Sequence, residues 1–168
     1  LPYRNPKLSR SVKEIPGILS SNRKYHPLII TDESIFRLGL TKDLEQALTE
    51  HNMQYGMYSG TKPNPTTEMV AEAVKLYRMD MCDSIIAVGG GSPMDCAKAA
   101  GAQIAMPHKK LGDMAGLLKI HGEMPLLIAV PTTAGTGSET TLAAVIVDAE
   151  TRHKYVINDF HLIPRYAV

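Results

Sequence analysis

The sequence predicts an α/β protein: a parallel β-sheet with helices on both faces, followed by an antiparallel β-hairpin. Three observations carry that expectation. Short apolar runs such as "SIIAV" (84–88) and "PLLIAV" (125–130) read as buried strands. Longer segments of helical periodicity alternate with them, and strand–helix–strand order implies parallel pairing under two helical layers. After residue 141 the pattern changes to two β-type runs around a tight turn.

Element by element, "PLIITD" (27–32) is an apolar run entered at a proline and left at an acid. "DLEQALTEH" sets Leu44, Ala47, Leu48 and His51 at helical spacing. "MQYGMYS" (53–59) reads as a strand and "KPNPT" (62–66) as a breaker-rich loop. "TTEMVAEAVKLYRM" (66–79) places Met69, Val70, Ala73, Val74 and Tyr77 on one helical stripe. "SPMDCAKAAGAQIA" (92–105) is helical. "LAAVIVDAETRHKYVIND" (142–159) is the hairpin, turning at Asp148–Thr151. Residues 1–168 read as one domain, long enough for a sizeable core.

Composition excludes several function classes. Lys and Arg number 18 against 17 Asp and Glu, a net charge of +1, so nothing favours nucleic acid or an anionic membrane as a partner. Trp is absent and Phe occurs twice, which weakens any reading that needs aromatic stacking platforms. The two cysteines, Cys82 and Cys96, form no CxxC pair; a reducing cytoplasm is the expected compartment. No apolar run approaches the roughly 18 residues of a membrane span. The N-terminal "LPYRNPKLSRS" is polar and lacks a signal-peptide segment, and a first residue other than Met suggests trimming there.

Two segments carry the chemistry. "AVGGGSPMDCAK" puts Gly89, Gly90 and Gly91 at the carboxyl end of a buried strand. Ser92 suits a helix N-cap, Pro93 the first helical position, and Asp95 the third residue after the cap. A helix start presents unpaired N–H groups and a positive dipole end, and glycines let a phosphate approach closely. The alternative is a tight turn with no ligand. The spacing matches neither GxGxxG nor a P-loop. In "VPTTAGTGSETT" (130–141), eight of twelve residues are Thr, Ser or Gly, more than a turn requires. This loop is expected to hold a ligand, the alternative being a solvated loop.

Together the two segments resemble signatures of the iron-containing, group III alcohol dehydrogenases. GGGSxxDxAK is present from Gly89 to Lys98 and PTTxGTGSE from Pro131 to Glu139. "ITD" ending at Asp32, "PNPT" ending at Thr66 and a lysine after the hairpin turn, Lys154, fall in the family's order. The resemblance implies a Rossmann-like domain, the dehydroquinate synthase-like N-terminal half of a two-domain enzyme that interconverts small primary alcohols or diols with aldehydes using NAD. It makes Thr132, Thr133, Thr136 and Thr141 cofactor contacts, with Gly89, Gly90, Gly91 and Ser92 under the diphosphate. Asp32 would accept hydrogen bonds from the adenosine ribose and repel a 2′-phosphate, favouring NAD over NADP; otherwise it caps the next segment. Asn64 would lie on the adenosine side, or is a turn residue. Lys154 would lie near the cofactor, or is an exposed hairpin lysine. Asp95 reads as a cap for its helix that could also touch cofactor, and Lys98 as a solvated helix charge.

The family's metal, Fe²⁺ or sometimes Zn²⁺, is held by one Asp and three His of a C-terminal helical domain, and none of those ligands falls in this chain. The chain alone is therefore expected to bind NAD weakly, to turn nothing over, and to expose an unusually apolar inner face. The six histidines, 26, 51, 108, 121, 153 and 161, show no i, i+4 pair and no HExxH, and read as surface residues. The family also implies a homodimer or larger homo-oligomer. Two other readings remain: a glycerol dehydrogenase or dehydroquinate synthase relative, and a stand-alone nucleotide-binding module.

Overall fold

The computed structural model describes residues 5–168; residues 1–4 of the polar N-terminal stretch lie outside them. In chain order the elements are β1 (Lys7–Leu8), a 3-10 turn (Val12–Glu14), α1 (Ile15–Ser21), β2 (Pro27–Asp32) and α2 (Glu33–Arg37). Then come α3 (Lys42–Glu50), β3 (Gly56–Thr61), α4 (Thr67–Met79), β4 (Ser84–Gly89) and α5 (Gly91–Ala105). A 3-10 turn (Leu111–Met114), β5 (Gly116–Leu117), β6 (Leu126–Pro131), β7 (Ala143–Val147), β8 (Lys154–Asn158), a 3-10 turn (Phe160–Leu162) and β9 (Tyr166–Ala167) follow.

Six strands make one sheet in the order β1-β9-β6-β4-β2-β3, parallel at every pairing. The strand alternation sorts side chains onto its two faces. Leu28, Ile30, Ile85, Ala87, Leu127 and Ala129 point into the cluster under α4 and α5. Ile29, Ile86, Val88, Ile128 and Val130 point into the cluster with Ile15 and Leu19 of α1 and Leu44 and Leu48 of α3. Burial on both faces is why these strands read as continuous apolar runs; each fully buried Ile or Leu contributes roughly 1.5–3 kcal/mol.

The helix over 66–79 is found as α4, with Val70, Ala73 and Val74 buried and the Thr66 hydroxyl accepting from the Met69 N–H. The strand expected at 53–59 begins later, at Gly56. Asn52 takes a left-handed φ of 55° and Met53 N–H bonds back to Leu48, so those residues finish the preceding helix. His51 ends that helix too: its Nδ1 lies 2.8 Å from the Ala47 carbonyl and it leaves the apolar stripe. The hairpin is β7–β8, paired antiparallel from Ala143↔Asn158 to Val147↔Lys154, and β5 joins it in parallel as a third strand.

Candidate functional site

In the main sheet, β2 lies between β3 and β4: the chain first builds outward to β3, then returns across β2 to place β4. The carboxyl ends of β2 and β4 therefore flank the point where strand order reverses, the position where open parallel sheets form a crevice. Asp32 closes β2 and Gly89 closes β4, so the topology itself delivers both to the crevice.

The glycine turn is built from three unlike positions. Gly89 has φ +142°, and a Cβ there would stand 2.7 Å from Pro93 Cγ, so the backbone and its neighbour both require glycine. A Cβ on Gly90 would meet Thr133 Oγ1 at 2.6 Å, which lets the hydroxyl-rich loop lie directly against the turn. A Cβ on Gly91 would meet nothing within 4 Å. The N-cap of α5 is Gly90, not Ser92, and no side chain caps the helix. Ser92 and Pro93 lie inside the first turn, where a proline removes no intrahelical donor. The unfilled helix start thus faces open space beside Gly91, a setting suited to an anion.

Two clefts meet there. One, of about 520 Å³, is lined by Asp32, Thr61, Gly90, Gly91, Ser92, Thr132 and Thr133 among others. The second, of about 580 Å³, is lined by Asn64, Gly91, Ser92, Asp95, Val145, Lys154 and Val156 together with Pro65. Gly91 and Ser92 belong to both, so the two form one trough across the start of α5. A larger hollow of about 730 Å³ lies elsewhere, between α4, the 107–112 segment and the hairpin turn, and contains none of the expected site residues.

Asp32 does two things. Its Oδ1 accepts from the Ile35 N–H at 2.8 Å and caps α2, while its Oδ2 lies near the face of Gly89. Asn64 and Lys154 touch one another, Nζ donating to Oδ1 at 3.2 Å, and Asn64 has a turn's left-handed φ of 56°. Thr132 N–H bonds the Gly89 carbonyl at 3.1 Å, and Thr133 lies against Gly90. Thr136 stands on the exposed turn between Gly135 and Gly137, both at positive φ, and lines neither cleft. Thr141 lines neither cleft either; its Oγ1 is 3.0 Å from Lys98 Nζ.

Two readings from sequence are corrected. Asp95 caps no helix: its Oδ2 accepts from the Val145 N–H of the hairpin at 3.2 Å and its Oδ1 from the Ser138 hydroxyl at 3.4 Å. Burial pushes its carboxyl above the ordinary range, and the Val145 N–H, Lys98 and Ser138 pull it only part of the way back. Lys98 is no solvated charge. It is 0% exposed, and Nζ donates to the carbonyls of Ser138 (2.7 Å), Thr141 (2.8 Å) and Ala143 (3.1 Å). The D-x-x-K spacing puts both side chains on one face of α5 against β7, a placement no sequence signal for β7's position could have supplied.

Among the described residues no three or more His, Cys, Asp or Glu gather as a metal site. Four histidines are exposed; His26 is half-buried, and half-buried His161 turns Nδ1 onto Asp159 Oδ1 at 2.6 Å. Leu117 and Leu118 stand 72% and 53% exposed, and Val156 faces the second cleft. No helix among the described residues is long and apolar enough to cross a membrane.

A parallel sheet whose strand ends carry an uncapped glycine turn and a hydroxyl loop defines a Rossmann-like α/β domain. The chain belongs to the iron-containing alcohol dehydrogenase family, whose model matches residues 9–168. It is similar to alcohol dehydrogenase 4 of Schizosaccharomyces pombe, 39% identical over 142 residues that cover 84% of this chain and 33% of the relative. In structure it superimposes on a 1,3-propanediol oxidoreductase with a TM-score of 0.91 and 29% identity, covering 98% of this chain and 44% of that one. It also matches the sulfoacetaldehyde reductase of Bifidobacterium kashiwanohense, solved in complex with NAD⁺, with a TM-score of 0.85 and 26% identity, at 98% and 44% coverage. The chain therefore spans a third to under a half of these relatives.

Proposed function

We propose that this chain is the NAD-binding part of an alcohol dehydrogenase that interconverts small primary alcohols or diols with aldehydes. One observation carries the reading: the single trough over the start of α5, with the Asp32 carboxylate at one end and the Asn64–Lys154 pair at the other. The residues fit a dinucleotide. Gly91 leaves room for a diphosphate over the helix start, and Ser92 and the Thr132 and Thr133 hydroxyls can donate to its oxygens. The free Oδ2 of Asp32 can accept from a ribose hydroxyl and would repel a 2′-phosphate, so NAD is favoured over NADP. Bound NAD would accept the hydride from the alcohol carbon, while the hydroxyl proton passes to solvent as the carbonyl forms.

The chain's own contribution is to bind and orient. The glycine turn holds the diphosphate, Asp32 marks the adenosine side, and the Asn64–Lys154 pair, at the opposite end from Asp32, and the threonine loop line the remainder. Among the described residues no cluster of His, Cys, Asp or Glu fits the family's metal. The alcohol chemistry is supported by the 1,3-propanediol oxidoreductase likeness, and the cofactor by the NAD⁺ complex of the sulfoacetaldehyde reductase. Two free, buried cysteines suit a reducing, cytoplasmic setting. Titrating the chain calorimetrically with NAD and with NADP tests the reading: NAD is expected to bind the more tightly, and no heat with either would sink it.

A further inference from the structure

Lys98 is a cation with no exposed surface, and it spends its donors on one short stretch of backbone. Its Nζ reaches the carbonyls of Ser138, Thr141 and Ala143 and the Thr141 hydroxyl, all within 2.7–3.1 Å. One turn earlier on α5, Asp95 takes the Val145 N–H and the Ser138 hydroxyl. The carbonyls that accept from Lys98 lie where the chain passes from irregular loop into β7, and the ammonium gathers all three onto one point of α5. A buried ammonium is itself costly, and an apolar side chain would fill the same space more cheaply. The arrangement is explained if its value lies in holding that stretch in one place.

We propose that Lys98, with Asp95 beside it, is the positioning residue that sets the hydroxyl-rich loop at the height where it meets a dinucleotide. This rests on the NAD reading above. The loop is anchored twice to the same strand–turn–helix unit: Thr132 N–H to the Gly89 carbonyl at one end, and residues 138–145 to Lys98 and Asp95 at the other. Between the anchors, Thr132 to Thr136 are exposed, with Gly135 and Gly137 at φ 96° and 61°. The glycine turn and the threonine loop therefore move as one body. Burial pushes the Lys98 ammonium down to about 8, against the pull of Asp95 on its own helix and Glu139 on the loop, the charged groups that act on it. β7, the strand packed against it, runs from Ala143 to Val147 and carries no ionisable side chain. A neutral amine has one donor fewer, so the grip on the three carbonyls weakens as pH rises through that value.

The test measures NAD affinity of the chain by calorimetry at neutral and alkaline pH, AMP affinity as a probe of the Asp32 end, and amide hydrogen exchange across 138–145. Lys98→Met is expected to weaken NAD about tenfold, the equivalent of one charge-assisted hydrogen bond, while AMP stays within about twofold and exchange across 138–145 accelerates. The parent should lose NAD affinity as pH rises through the value of Lys98, and Lys98→Arg, whose guanidinium does not titrate there, should show a flat profile. Should Lys98→Met fail to fold, Asp95→Asn decides: its amide oxygen keeps the acceptor for the Val145 N–H, its NH2 can donate to the Ser138 hydroxyl oxygen in place of accepting from it, and the counter-charge is gone, so the alkaline loss should move to lower pH. Unchanged NAD affinity and exchange in Lys98→Met, or an unmoved pH profile in Asp95→Asn, overturns the proposal. A parent chain that binds neither NAD nor AMP overturns the NAD reading instead, and the exchange data then decide the anchoring by themselves.

Discussion

Asn64 and Lys154 lie ninety positions apart in the chain and meet through one hydrogen bond of 3.2 Å across the second cleft. The contact ties the loop before α4 to the first residue of β8. Beside it, Val147 N–H bonds the Pro65 carbonyl at 2.9 Å, so backbone and side chains fasten the same seam. Both side chains line the trough, and the pair fixes its width at that end.

Removing either partner should change binding more than folding. Asn64→Gly keeps the left-handed backbone without strain and deletes only the amide; Lys154→Met keeps the stem and deletes the charge. Each is expected to weaken NAD by roughly three- to tenfold, about one neutral hydrogen bond, and the double variant by less than the product. Calorimetry with the four proteins measures this, and full multiplicativity would mean that the two act separately.

At the other end, Asp32 both caps α2 and faces the crevice, so its replacement must separate the two roles. Asp32→Ser retains a capping oxygen for the Ile35 N–H and removes the charge. NAD should weaken while NADP gains, narrowing the preference, with thermal stability near the parent. Asp32→Ala should cost about 1 kcal/mol of stability through the lost cap. A preference untouched by Asp32→Ser would detach this carboxylate from the ribose.

The three glycines of the turn should fail in three different ways. Gly89→Ala is expected to damage folding, because φ +142° and the contact at 2.7 Å to Pro93 leave no place for a methyl. Gly90→Val should displace Thr133 and abolish dinucleotide binding while the circular dichroism spectrum survives. Gly91→Ala opens onto space and, in a first helical turn, should leave stability equal or raised by up to about 1 kcal/mol, yet weaken NAD by crowding the diphosphate. Melting curves and NAD titrations on the three variants check the series.

Fe²⁺ or Zn²⁺ added to the chain with NAD and a short alcohol should produce no NADH above the blank. No cluster of ligands among the described residues can hold the ion. Steady absorbance growth at the NADH band would expose a site that the geometry does not contain.

Acid sensitivity should trace to Asp159. Burial alone would push this carboxyl up, but the N–H groups of His161 and Ile120 and the His161 ring outweigh it and hold it below the usual range. A carboxyl depressed in the folded state stabilises above its unfolded value, about 4, and that stability is lost as pH falls through the folded value. Melting temperatures of the parent and Asp159→Asn should therefore differ at neutral pH and converge below about pH 4.

What could be read in advance followed how locally each feature is encoded. β2, β4 and β6 announce themselves because both faces are buried and every residue must be apolar. α4 shows a stripe because only one face is covered. α1, α2, β1 and β5 leave no such mark: they are short, and the two-residue strands β1 and β5 exist only because a distant partner offers an edge. The site divides in the same way. The glycine turn is local and was placed correctly, but the N-cap fell on Gly90 because the chain stays extended there until the helix begins. Asp95 and Lys98 were misjudged because their partners lie 40–50 positions downstream, on a strand whose docking against α5 leaves no trace in local periodicity.

Strand β9 lies between β6 and β1, with Tyr166 opposite both Ile128 and Lys7. During synthesis, then, the seat of residues 7 and 8 does not exist until residues 166 and 167 have left the ribosome. Residues 7 and 8 must wait, unpaired, while the strands between them and β9 are made, and a helper that shields them in the interval would find them a ready client.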